Sequence, residues 1–211
     1  MNSLVRTPDD LSAILGVRRL SAPNVNKKRA GERGETYCFR QYLMTLAANG
    51  LLRFPLSVPV TKEHYQNPDY LVYCGDLSLV GVEIAEVVAR AKDASACDND
   101  GCEIDAEVAE RRWVDAIART VARKLNLLSR NDVVHARVYD VLVHTLTEWD
   151  GHIDFRSACD ALRRTGVVPN TISRRGVRHP VRVHVLGAEL LYFDAFGACR
   201  FLACVERPEP N

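Results

Sequence analysis

The stretch that most restricts how this chain can fold is Val80-Gly81-Val82-Glu83-Ile84-Ala85-Glu86-Val87-Val88. Val80, Val82 and Ile84 alternate with Gly81, Glu83 and Ala85, which is the period of a β-strand. Glu83 and Ala85 therefore share one face, and Glu86 falls on the other. Just upstream, Asn67-Pro68-Asp69-Tyr70-Leu71-Val72 predicts a second strand, with a turn at Gly75-Asp76 between the two. Each strand carries one carboxylate among residues suited to burial. An ionised carboxylate on an apolar strand is costly unless something pairs with it. Asp69 and Glu83, joined by a hairpin, can converge on one cation. Mg²⁺ is commonly held by one or two carboxylates with waters and substrate phosphates, and a site of that kind suits metal-assisted phosphodiester hydrolysis.

Length and charge narrow the setting. At 211 residues the chain predicts one domain with a full core. Its net charge of +1 offers no bulk attraction for nucleic acid, so any basic surface must be local. No run of about 18 apolar residues predicts a membrane span, and no apolar leader segment opens the chain. The cysteines Cys38, Cys74, Cys97, Cys102, Cys159, Cys199 and Cys204 are odd in number and scattered. They read as reduced thiols of a cytoplasmic protein.

Thr7-Pro8-Asp9-Asp10 predicts the start of a short helix, with Gly16 as its stop. Residues 17–34 are basic and read either as a solvated linker or as an arm that meets phosphates through Lys27, Lys28 and Arg29. A helix is expected from Glu32 to Asn49, buried along Phe39, Tyr42, Leu43 and Leu46, with Glu35 on the same side. Leu51 to Val60, broken by Pro55 and Pro59, reads as an edge strand or loop. The loop around Asp98-Asn99-Asp100-Gly101 fails the EF-hand pattern, since Ala96 stands at its first ligand position. Ile104 to Leu128 predicts the longest helix, with Trp113, Ile117 and Leu128 on its inward stripe. Lys124 lies on that stripe, where it either snorkels to the surface or turns inward. Val133 to Leu146 reads as a strand with His135 and His144 near its ends. From Arg163 to Arg182 the chain is basic, including Arg174, Arg175 and Arg178, and reads as a solvated loop or a phosphate-tracking one. Closing strands are expected at 181–186, 190–193 and 199–205.

Pro68-Asp69 followed by Glu83 resembles the motif of the PD-(D/E)XK nuclease superfamily. The helix, two strands, helix and strand from Glu32 to Val143 are similar in order to that family's core. The resemblance implies an α/β fold with a restriction-endonuclease-like core, a mixed central β-sheet flanked by helices, here with additional C-terminal strands. One domain would span 1–211, with a short helix and basic arm over 1–31, the core over 32–205 and a tail over 206–211. It also implies Mg²⁺ or Mn²⁺ on Asp69, Glu83 and the Ile84 carbonyl, and nucleic acid, DNA first, as substrate. The family's first core helix often supplies an acid, for which Glu35 is a candidate.

The chain departs from the family at one place. The motif lysine normally stands two positions after the glutamate, where this chain has Ala85. Some members carry it on the following helix, the position of Lys124. Two readings follow: a nuclease with a displaced lysine, or an inactive module of the same fold that binds nucleic acid or a protein partner. A homodimer suits an enzyme that cuts both strands of a duplex.

Overall fold

A computed structural model describes residues 2–15, 29–59, 68–76, 78–87, 106–130, 136–144, 155–166, 170–187, 189–194 and 196–205. The expectations for Lys27, Lys28, the loop around Asp98-Asn99-Asp100-Gly101, His135 and the tail lie outside them.

The strands are β1 (Asn2–Val5), β2 (Leu56–Pro59), β3 (Tyr70–Tyr73), β4 (Leu79–Glu86) and β5 (Val138–His144), followed by β6 (Asn170–Arg174), β7 (Val177–Leu186), β8 (Glu189–Phe193) and β9 (Cys199–Ala203). They form one mixed sheet in the order β1-β2-β3-β4-β5-β7-β8-β9, with β6 paired to β7. Neighbours from β1 to β4 are antiparallel, β4–β5 and β5–β7 are parallel, and the remaining pairs are antiparallel. The helices are α1 (Pro8–Leu15), α2 (Arg29–Ala48), α3 (Ala106–Leu128) and α4 (Phe155–Arg164). The α/β class, the mixed sheet and the added C-terminal strands are thus observed.

Two apolar layers sandwich the sheet. On one side α1 and α2 bury Leu11, Phe39, Leu43 and Leu46 against Val80, Val82, Ile84 and Leu142. On the other, α3 and α4 bury Trp113, Ile117, Val121, Leu128 and Leu162 against Val141, Val143 and Val183. Each such side chain contributes roughly 1.5–3 kcal/mol of burial. The alternation along β4 therefore sends Val80, Val82 and Ile84 toward α2, and Gly81, Glu83 and Ala85 toward α3. No helix among the described residues is long and apolar enough to cross a membrane.

Three expectations are corrected. The Leu56–Pro59 segment is not an edge strand: β1, which lacks a marked pattern in its four residues, pairs outside it. Pro59 ends the strand opposite Asn2 of β1, beyond the Ser57–Tyr73 pairing with β3. Much of the basic stretch 163–182 is a hairpin, β6–β7, closed by Arg175-Gly176, both at positive φ. The second helix begins at Arg29 rather than Glu32.

Candidate active site

Pro68 and Gly81 bring the two motif strands together. A Cβ on Gly81 would lie 2.6 Å from Pro68 Cγ and 3.0 Å from Tyr139 Cδ1. The proline ring therefore rests on the β4 backbone, which only glycine permits. Tyr70 then pairs with Val82, setting Asp69 beside Glu83. The two acids interlock through the main chain. The Asp69 N–H donates to Glu83 Oε2 at 3.1 Å, and the Ile84 N–H donates to Asp69 Oδ2 at 2.8 Å. Asp69 is 8% exposed and Glu83 1%.

From α3 the Lys124 ammonium reaches Glu83 Oε1 in a hydrogen-bonded ion pair, with its side chain 16% exposed. The helical period explains this reach: Lys124 follows Ile117 and Val121 and precedes Leu128 on the stripe facing the sheet. Burial, and then the nearby Asp69 charge, raise the Glu83 carboxyl above its usual range, while Lys124 opposes both. Two crowded carboxylates with one cation form a hard-oxygen donor set suited to Mg²⁺ or Mn²⁺, because a dication relieves the repulsion between them. Among the described residues no group of three or more His, Cys, Asp or Glu is arranged to hold a metal. Ala85 lies on the same face as Glu83, 5% exposed within the α3-side core.

The other candidates are placed differently. Glu35 projects from α2, on the opposite side of the sheet from Glu83, where it and Glu86 help raise the thiol pKa of Cys38, behind burial as the main cause. Glu86 is exposed and on the face opposite Glu83, as its position in the strand predicts. Arg174 is not available to phosphate: it is 2% exposed and donates from Nη1 to the Tyr139 hydroxyl at 2.5 Å. Arg175 and Arg178 are exposed on the β6–β7 hairpin. Arg29 opens α2, but its side chain lies outside the described residues, as do Lys27 and Lys28. Cys38, Cys74, Cys199 and Cys204 are free thiols.

A second polar cluster escaped sequence reasoning. On the α2 side of the sheet, Arg182 grips Asp140 with a fork, Nε to Oδ1 at 2.5 Å and Nη2 to Oδ2 at 2.7 Å. The Tyr42 hydroxyl donates to Asp140 and lies 3.3 Å from His184 Nε2. Arg182 Nη1 donates to the Tyr192 hydroxyl at 3.4 Å. Burial works against the Asp140 charge, yet Arg182 and His184 hold its carboxyl well below the usual range. A signal was present: Asp140 interrupts an apolar strand as Glu83 does, and Arg182 and His184 alternate with Val181, Val183 and Val185. Asp140 and His184 are at most 1% exposed, so the centre of this cluster is closed to solvent and ties α2 to the strands beneath it.

No protein-family model matches the chain, and comparison with curated proteins and with solved structures finds no match.

Proposed function

We propose that the chain is a metal-dependent nuclease with a restriction-endonuclease-like core, acting on nucleic acid, DNA first. The observation that carries this reading is the Lys124 ammonium at Glu83, delivered from α3 to the face where Ala85 leaves the motif lysine missing. The succession α2, β2, β3, β4, α3, β5, with β2 to β4 antiparallel and β5 parallel to β4, supports the core assignment. A cytoplasmic, homodimeric enzyme accords with it.

Asp69 and Glu83 would hold Mg²⁺ or Mn²⁺, with the Ile84 carbonyl as a further ligand. The chemistry such an ion supplies is polarisation of the scissile phosphate and acidification of a bound water. The chain's own residues do the rest. The interlocked main-chain hydrogen bonds fix both carboxylates before substrate arrives. Lys124 places a positive charge beside Glu83, where it offsets negative charge gathering on the phosphate and holds or passes a proton at the attacking water. A lysine suits this task better than Arg119 or Arg123 of the same helix, because its ammonium is a compact point charge on a flexible stem.

The test is cleavage of plasmid, single-stranded DNA and RNA with Mg²⁺ or Mn²⁺ by wild type, Asp69→Ala and Glu83→Ala, with folding checked by circular dichroism. Cutting that needs metal and falls at least a hundredfold in both variants is expected. A folded wild type that cuts none of the three substrates would assign the fold to a binding module instead, the reading that Ala85 favours.

A further inference from the structure

Three strands across the sheet from Glu83, which aligns with Val141, Val183 and Phe193, two hairpin turns point the same way. β5 occupies one edge of β7 from Val181 onward, so β6 and β8 must share the other edge, end to end. Val181 faces Tyr139 on one side and Asn170 on the other, and Val183 faces Val141 and Phe193. The β6–β7 turn therefore lies where β7 begins, and the β8–β9 turn, which follows Phe193 opposite Val183, stands level with the middle of β7 on the same edge, about 20 Å away along the strands.

The β8–β9 turn is stiff, yet it displays a bare aromatic ring. The Asp194 carboxylate accepts from the Phe196 and Ala198 N–H groups at 2.8 and 2.9 Å. The Asp194 N–H donates to the Ala198 carbonyl, and the Gly197 N–H to the Asp194 carbonyl. On this frame Phe196 is 94% exposed. Arg163, from the last turn of α4, donates to the Gly197 carbonyl of this turn at 3.3 Å, and Asp160 pairs with it at 3.4 Å. Arg164 and Arg200 are exposed nearby in sequence.

The β6–β7 turn is equally unusual in its residue. A two-residue turn with both positions at positive φ favours Asn or Gly first, but Arg175 stands there at φ +48 before Gly176 at φ +80. The turn itself gives no reason for arginine. Arg178 is exposed on the same hairpin.

We propose that this edge of the sheet binds nucleic acid with unpaired bases: a base stacks on Phe196, while Arg163, bonded to the same turn, and Arg175 and Arg178, further along the edge, hold successive phosphates of that strand. Stacking on an exposed aromatic ring is tolerant of sequence, and arginines track the backbone. Phe196 offers a face without any hydrogen-bonding edge, which suits a base plane better than a peptide. The inference deepens the nuclease reading by naming a substrate class, a single strand or a junction with unpaired nucleotides, and it rests on that reading for the choice of ligand.

The test is fluorescence anisotropy of labelled oligothymidylate and of a blunt duplex in EDTA, so that no cleavage intervenes. Wild type is expected to prefer the single strand. Phe196→Ala should weaken that binding about tenfold, with its salt dependence unchanged, and Phe196→Trp should restore it. Arg175→Ala with Arg178→Ala should weaken both ligands and flatten the salt dependence. Because the ring touches so little of the fold, loss of structure cannot mimic the effect, and a melting curve verifies this. Equal binding by wild type and Phe196→Ala overturns the stacking role while leaving nuclease activity, measured separately with metal, intact. Sedimentation showing a wild-type dimer that Phe196→Ala abolishes also overturns it, by assigning the ring to a protein contact.

Discussion

Glu83 and His144 show how differently this sheet treats buried ionisable side chains. Glu83 has a main-chain N–H and an ammonium against its two oxygens. His144, at the end of β5 and aligned with Glu86 of β4, is 5% exposed, and among the described residues neither ring nitrogen has a hydrogen-bond partner. Burial alone lowers its pKa from the usual 6.5 to about 4. The neutral ring is thus favoured in the folded state, and the unfolded chain binds the extra proton. Its contribution is present above pH 6.5 and is lost as the pH falls through 4. Between pH 7 and pH 5 this amounts to about 2 kcal/mol. Urea unfolding should show that loss in wild type, and His144→Leu should remove it. The same acid slope in the leucine variant would assign it to other groups.

At the scale of elements, the Asp140–Arg182 fork with Tyr42, His184 and Tyr192 joins α2 to β5, β7 and β8 on the face away from Glu83. Such pairs are often no more stabilising than well-packed apolar residues, but removing one partner strands the other. Asp140→Ala should therefore cost about 3–5 kcal/mol, measured by chemical denaturation, and metal-dependent cleavage by the folded fraction should persist. A cost under about 1 kcal/mol would mean that Arg182 finds solvent easily. This cluster also marks where sequence reasoning stops. Strand and helix periods were sufficient for β3, β4, α3 and the closing strands, since each depends on local alternation against a core. The pairing of Asp140 with Arg182 depends on β5 lying beside β7, which no local period encodes. Arg174 failed for the same reason: charge in a basic stretch suggests solvent, whereas β6 folds it back onto Tyr139. Glu35 lies in the expected helix, but α2 packs on the face opposite Glu83.

For the whole molecule, the three-layer arrangement decides which acids can meet which cations. The β4 period aims Glu83 at α3, the rest of Asp69's environment comes from the Pro68–Gly81 contact, and α3 returns Lys124 to the same point. The lysine was legible as an inward-facing charge on a helical stripe; its target became visible only once α3 was seen to cover the Glu83 face. On the proposed nuclease reading, the positions of Ala85 and Lys124 are two routes for one charge to one site. The measurement that tests this most directly is the Mg²⁺-dependent cleavage rate of wild type, Lys124→Ala, and Lys124→Ala combined with Ala85→Lys. A loss of at least a hundredfold in the single variant, with partial recovery in the double, is the predicted result. Cleavage by a folded Lys124→Ala chain at the wild-type rate would contradict the displaced-lysine site.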